Sequence, residues 1–136
     1  MADKAKEFRY AIGLDRAGRV TADGHSPLEL DPAWTPEHLL LAALVRCTLQ
    51  SLRFHADHEG VDFVASASAS GMVTKRPEDG RYGFVEVEVE LDLELEPEPA
   101  GEELAALVEK AERDCFVGAS LNPSPRYRWR VNRSNL

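Results

Sequence analysis

The 136-residue chain has only two cysteines, Cys47 and Cys115. So few cannot form a disulfide scaffold, and a chain of this length needs none, since one domain this size buries roughly two-thirds of the surface its unfolded form exposes. A single domain over residues 1–136 is therefore expected. Positive charge is also scarce: 16 Lys and Arg stand against 24 Asp and Glu, a net charge of −8. A general nucleic-acid footprint and binding to anionic membranes are both disfavoured by that balance. Long apolar runs are missing too. The longest, Leu39 to Val45, falls far short of the roughly 20 residues a spanning helix needs. The opening MADKAKEFRY is polar, with no apolar core of a signal peptide. Two cysteines without such a signal point to a reducing cytosol, where a pair is more often redox-active or metal-linked than structural. No phosphate-cradling glycine loop, GxSxG, HExxH or CxxC occurs, and no repeat or low-complexity linker divides the chain.

What is present alternates strand and helix signals. Phe8 to Leu14 and Arg19 to Ala22 predict a hairpin around the turn Asp15–Gly18, and Leu28 and Leu30 a short further strand. A long helix is predicted from Thr35, a good N-cap, through Pro36 and Glu37 to about Glu59, with Gly60 as the stop. Its first half is apolar on nearly every side. Such a helix must be surrounded, and a homodimer that buries it from both sides is the simpler way to do so. Val61 to Thr74 alternates Ala and Ser, which predicts a strand with a small-residue face. FVEVEVELDLELEP has the plainest period of two: Val85, Val87, Val89, Leu91, Leu93 and Leu95 on one face, acids on the other. Straight, Phe84 to Glu96 would reach about 40 Å, so the strand is expected to curve, bulge or run onto a second subunit.

Glu102 to about Cys115 predicts an amphipathic helix with Leu104, Leu107, Val108, Ala111 and Cys115 on one stripe. A final strand alternates Tyr127, Trp129 and Val131 with Arg126, Arg128 and Arg130. Its basic face and the acidic face of FVEVEVELDLELEP are either neighbours in one sheet or two independently solvated faces, the second slightly favoured.

Both cysteines are thus expected on helices, and two readings of them stay open. They are buried, inert thiols, or a working pair. A reactive Cys47 needs a positive group to favour its thiolate, with a carboxylate to orient that group. Arg46 does not serve, because adjacent helical residues point about 100° apart. Arg16 and Arg19 are candidates for the first role and Glu37 for the second. Glu37 and Cys47 lie about 15 Å apart on a straight helix, so either the helix breaks between them or Glu37 reaches a site shared with a partner chain. His55 and His58, at i and i+3 near Glu59, give only a weak metal signal without a third ligand. No cofactor is called for.

TPEHLLLAALVRC resembles the S/T/N-P-E-x-L-L-x-A-A-x-x-x-C segment of the OsmC/Ohr family, the osmotically inducible and organic hydroperoxide resistance proteins. ERDCFVGASL is similar to that family's second cysteine segment. The order of elements matches as well, over nearly the whole chain. The resemblance implies an α+β fold, antiparallel sheets packed on a long central helix, in an intertwined homodimer with active sites at the subunit interface. It implies a thiol peroxidase for organic hydroperoxides: Cys47 becomes a sulfenic acid, Cys115 condenses with it to a disulfide, and an external dithiol, a lipoylated protein in the Ohr branch, reduces the disulfide. Glu37 matches the family's glutamate, and Arg16 in R-A-G-R its arginine, with Arg19 second. Phe116 where many members have proline, Arg46 beside Cys47, and DPAW before the helix mark a divergent OsmC-like branch. A peroxide with an apolar tail would suit a pocket lined by Leu40, Leu44 and Phe116. The competing function is a non-enzymatic dimer of the same fold that binds a small apolar ligand or senses oxidation through these thiols.

Overall fold

A computed structural model describes residues 4–136. The chain falls into two compact units, Met1–Pro36 and Glu37–Leu136. In the first, β1 (Gly13–Leu14) pairs antiparallel with β2 (Val20–Thr21), and Val20 makes one further bridge to Leu28. The paired strands are shorter than the alternation predicts. Phe8, Tyr10 and Ile12 are exposed and outside the ladder. The turn is closed by Asp15, whose carboxylate accepts the amides of Ala17 and Arg19 at 2.9 Å and the Arg19 guanidinium at 2.8 Å. Gly18 takes the positive φ of 85° that the turn requires.

The second unit opens with α1 (Pro36–His58), one unbroken helix. It starts and stops where the sequence indicates, with Gly60 beyond its end at φ 69°. Its buried positions, Leu44, Thr48, Ser51, Leu52 and Ala56, follow one helical stripe. Then β3 (Asp62–Lys75) and β4 (Tyr82–Glu96) form a long antiparallel hairpin, α2 (Gly101–Arg113) and the short α3 (Phe116–Ala119) follow, and β5 (Arg126–Val131) and β6 (Ser134–Asn135) complete a four-stranded sheet in the order β3-β4-β5-β6.

Val87, Val89, Leu91, Leu93 and Leu95 of β4 are buried, as their alternation predicts, and share one core with Leu44, Leu52 and Ala56 of α1, Leu104, Leu107 and Ala111 of α2, and Trp129 and Val131 of β5. Val85 departs from that pattern. The register shifts between Met72 and Val73, so that Met72 faces Glu86 and Val73 faces Phe84. Val85 is the extra residue of a bulge, and the Phe84 ring packs on the core instead. The ring lies over Gly71, where a Cβ would stand 2.7 Å from it.

The α+β fold is as expected, with one difference: β4 and β5 run parallel, joined by the α2–α3 crossover. This places the acidic and basic faces side by side, against the slightly favoured expectation of separate solvated faces. Glu88 lies opposite Arg126, Glu90 opposite Arg128 and Asp92 opposite Arg130. Two of these rungs close to 3.6 and 3.7 Å. Each is at least partly exposed and contributes at most about 1 kcal/mol; together they match charge across the register.

Candidate functional site

The site forms where α1 meets the junction between α2 and α3. Helix α2 ends at Arg113, and Cys115 leaves the helical path as the N-cap of α3, with φ −79° and ψ 104°. The expectation of both cysteines on helices holds for Cys47 alone. The apolar stripe runs on through Cys115, which is wholly buried, but the backbone turns before it. That turn aims two successive amides at two sulfurs. Val117 N–H donates to Cys47 Sγ and Gly118 N–H to Cys115 Sγ, each at 3.4 Å. Both thiols are free, Cys47 half-buried and Cys115 buried.

Polar groups surround Cys115 on its inner side. Thr48 Oγ1 lies 3.5 Å from Cys115 Sγ and donates its own proton to the Leu44 carbonyl at 2.9 Å. The Tyr127 hydroxyl faces the same corner: a Cβ on Gly118 would stand 2.6 Å from Tyr127 Oη, 3.3 Å from Cys115 Sγ and 3.5 Å from Leu44 Cδ1. Residue 118 therefore has room only for glycine. Burial pushes the Cys47 thiol up from its ordinary value. The Val117 amide opposes that, and the hydrogen bond and charge of Cys115 add to it. Tyr127 is pushed up to about 12, first by burial and then by Cys115.

The junction is pinned from outside the thiols. His55 Nε2 meets Asp114 Oδ2 at 2.7 Å, and Arg113 clamps the same carboxylate with two bonds of 2.9 Å. These contacts hold Asp114 down at about 2. Trp129 Nε1–H donates to Glu112 at 2.8 Å. His55 is thus engaged with Asp114, and His58 Nδ1 lies 2.8 Å from the Phe54 carbonyl. Among the described residues no group of three or more His, Cys, Asp or Glu side chains could hold a metal.

Of the residues singled out from sequence, the structure brings Cys47 and Cys115 together. Glu37 is exposed in the first turn of α1, and because that helix has no break it stays about 15 Å from Cys47 of its own chain. Arg16 is exposed at the β1–β2 turn; Arg19 is already committed to Asp15. Leu44 does not line an open pocket, since its place on the inner stripe of α1 buries it fully, whereas Phe116 is 57% exposed. Thr48, Gly118 and Tyr127 were not singled out. Thr48 carried a signal as a polar residue on an apolar helix, next to a cysteine. Tyr127 read only as one of the residues alternating with arginines on the last strand.

Residues 26–130 match the profile of the family described as OsmC-like protein. No curated protein matches the chain. Among solved structures, an OsmC-like protein of unknown function from Vibrio cholerae superimposes with a TM-score of 0.72 at 16% identity, over 92% of this chain and 99% of that one. An OsmC-like protein from Mycoplasma pneumoniae gives 0.64 at 15% identity, over 95% and 98%. The organic hydroperoxide resistance protein OhrB of Bacillus subtilis gives 0.54 at 19% identity, over 91% and 96%. No helix among the described residues is long and apolar enough to cross a membrane.

Proposed function

The chain belongs to the OsmC-like protein family, whose profile covers residues 26–130, and on that premise we propose that it is a thiol-dependent peroxidase that reduces organic hydroperoxides with two cysteines. One observation carries the reading. Adjacent amides of one short turn, Val117 and Gly118, hold the sulfurs of Cys47 and Cys115 side by side, one partly open and one fully buried. A solute reaches the open thiol first; in this reading the buried one then closes a disulfide onto it.

In this reaction the Cys47 thiolate attacks the outer peroxide oxygen and the O–O bond breaks. The alkoxide leaves and takes up a proton as the alcohol, and Cys47 becomes a sulfenic acid. Cys115 then displaces hydroxide from that sulfur, its own proton completing a water. An external dithiol, a lipoylated protein in the related branch, reduces the disulfide by exchange. Burial disfavours the Cys47 thiolate, so attack needs a cation. Arg16 supplies it and Glu37 orients it, in a homodimer where Glu37 of the partner subunit meets Cys47. Arg16 is preferred to Arg19 because Asp15 already holds Arg19. The raised Cys47 thiol also favours a second reading, an OsmC-like dimer that senses oxidation without turnover.

Treating the reduced protein with stoichiometric cumene hydroperoxide and counting thiols tests the site. The expected result is loss of both thiols as an intramolecular disulfide, with continued turnover once a dithiol is added. Cys47→Ser abolishes peroxide consumption, and Cys115→Ser stops after one turnover at the sulfenic acid. Retention of both thiols refutes either reading. Oxidation without dithiol-driven turnover leaves the sensor.

A further inference from the structure

The Cys115 sulfur has a neighbour that the two-thiol scheme does not use. Tyr127 Oη and Cys115 Sγ stand 2.6 and 3.3 Å from the point that a Cβ of residue 118 would occupy, so phenol and thiol face one corner left open by the bare glycine, near enough for Cys115 to act on the phenol. The Thr48 hydroxyl spends its one proton on the Leu44 carbonyl. In its contact with Cys115 the S–H is therefore the donor. The Gly118 amide takes a sulfur lone pair from the other side. We propose that Tyr127 is a positioning residue for Cys115: with Thr48, which accepts the S–H, it fixes the buried sulfur, and its phenol proton supports the charge that the sulfur carries as its own proton leaves and before the bond to Cys47 forms.

The proposal deepens the two-thiol reading and rests on it. As the Cys115 S–H bond breaks and its electron pair moves onto Cys47 Sγ, the Cys47 S–O bond breaks, and hydroxide leaves with that proton as water. Tyr127, which shares this corner with both Thr48 and Cys115, turns its proton to the sulfur as the S–H proton leaves, and ends with that proton still its own. Its elevated phenol keeps it a donor across the pH range of thiol chemistry. The plainer alternative is packing alone, since the Tyr127 ring stacks on Trp129 at 6.4 Å.

The test uses the full chain and an aryl disulfide that releases a coloured thiolate. Attack by Cys47 gives a first release, and attack by Cys115 on the mixed disulfide gives a second. Tyr127→Phe is expected to leave the first rate unchanged and slow the second about tenfold, as loss of a hydrogen bond to a charged group implies, with its pH profile displaced upward. Thr48→Val slows the same step and serves should Tyr127→Phe fold poorly. A second release with wild-type rate and pH profile in both variants overturns the proposal. So does equal slowing of both releases without a change of profile, which is the packing result. A cumene hydroperoxide arm separates the two claims: if peroxide leaves Cys47 unoxidised while the second release still depends on Tyr127, the peroxidase reading fails and the role of Tyr127 stands.

Discussion

Gly118→Ala is expected to destabilise the protein, and a second substitution, Tyr127→Phe, to rescue it. The new Cβ would stand 2.6 Å from Tyr127 Oη, a separation that side chains cannot hold, and 3.3 Å from Cys115 Sγ. The hydroxyl ends a rigid ring stacked on Trp129, so it cannot swing away as a flexible chain end would. Overpacking of this kind costs about 1–3 kcal/mol. Alanine returns about 0.5–1 kcal/mol through its lower backbone entropy and better helix propensity, and it returns less here because α3 is one short turn. The net cost is then about 1–2 kcal/mol. At a urea slope of roughly 1–3 kcal/mol/M, the unfolding midpoint falls by about 1 M. In the Tyr127→Phe background the 2.6 Å contact disappears, while the 3.3 and 3.5 Å contacts to sulfur and Leu44 remain. Gly118→Ala should then be close to neutral, with a coupling of about 1–2 kcal/mol across the double-mutant cycle. Urea unfolding of the four proteins at one concentration measures it. A single alanine variant as stable as wild type, or additive effects of the two changes, would refute the crowding of Tyr127, Gly118 and Cys115 on which the site rests.

One further perturbation follows from the geometry and one from the proposed role of Arg16. Asp114→Asn should weaken the protein at neutral pH by no more than about 1 kcal/mol, because the carboxylate is partly exposed and screened. The folded-state value of Asp114 is depressed to about 2 from 3.8, so its contribution is present above 3.8 and is lost as pH falls through about 2. Urea midpoints of variant and wild type should converge over that window, and an unchanged gap at its acid end would count against the ion pair with His55 and Arg113. Arg16→Ala should lower the rate of Cys47 oxidation about tenfold or more and displace its pH profile upward, as loss of a neighbouring opposite charge does. Arg19→Ala, which only releases Asp15, should do far less. The reverse ranking in stopped-flow oxidation would assign the cation to Arg19.

Helix α1 was legible to within a residue at each end, because Thr35, Pro36 and Gly60 act locally and their chemistry needs no partner. The buried face of β4 was legible for the same reason from Val87 onward. Val85 was not, since a bulge is a property of the pair, set where Met72 and Val73 meet Phe84 and Glu86. Parallel pairing of β4 with β5 joins Glu88 to Arg126 through a crossover, and no local pattern reports that. The N-terminal strand shows the converse failure. Alternation from Phe8 to Leu14 is real, yet among the described residues only Gly13–Leu14 of that stretch finds a ladder. At the site, periodicity put Cys115 on the apolar stripe and correctly buried it, but could not show that the backbone turns at Asp114 to become the N-cap of α3. That turn, rather than the stripe, brings the sulfurs together.

The unbroken course of α1 separates two demands that a two-thiol site must meet. Closing a disulfide needs sulfurs held side by side, and residues of the Glu37–Leu136 unit meet it with uncharged groups: two amides, a threonine and a tyrosine hydroxyl. Attack on a peroxide needs a thiolate, and those same groups do not supply it, because burial outweighs the pull of the Val117 amide on Cys47. On the proposed mechanism charge then comes from residues outside this cluster, and the helix limits how Glu37 can take part. With Glu37 about 15 Å up a straight α1 from Cys47, a carboxylate and a sulfur of one chain cannot share a site, whereas those of two chains can. On the proposed mechanism, changes at Gly118, Thr48 and Tyr127 should act on ring closure, and changes at Arg16 and Glu37 on the first attack. A variant in either group that altered both steps equally would mean that the two demands are not separated in this way.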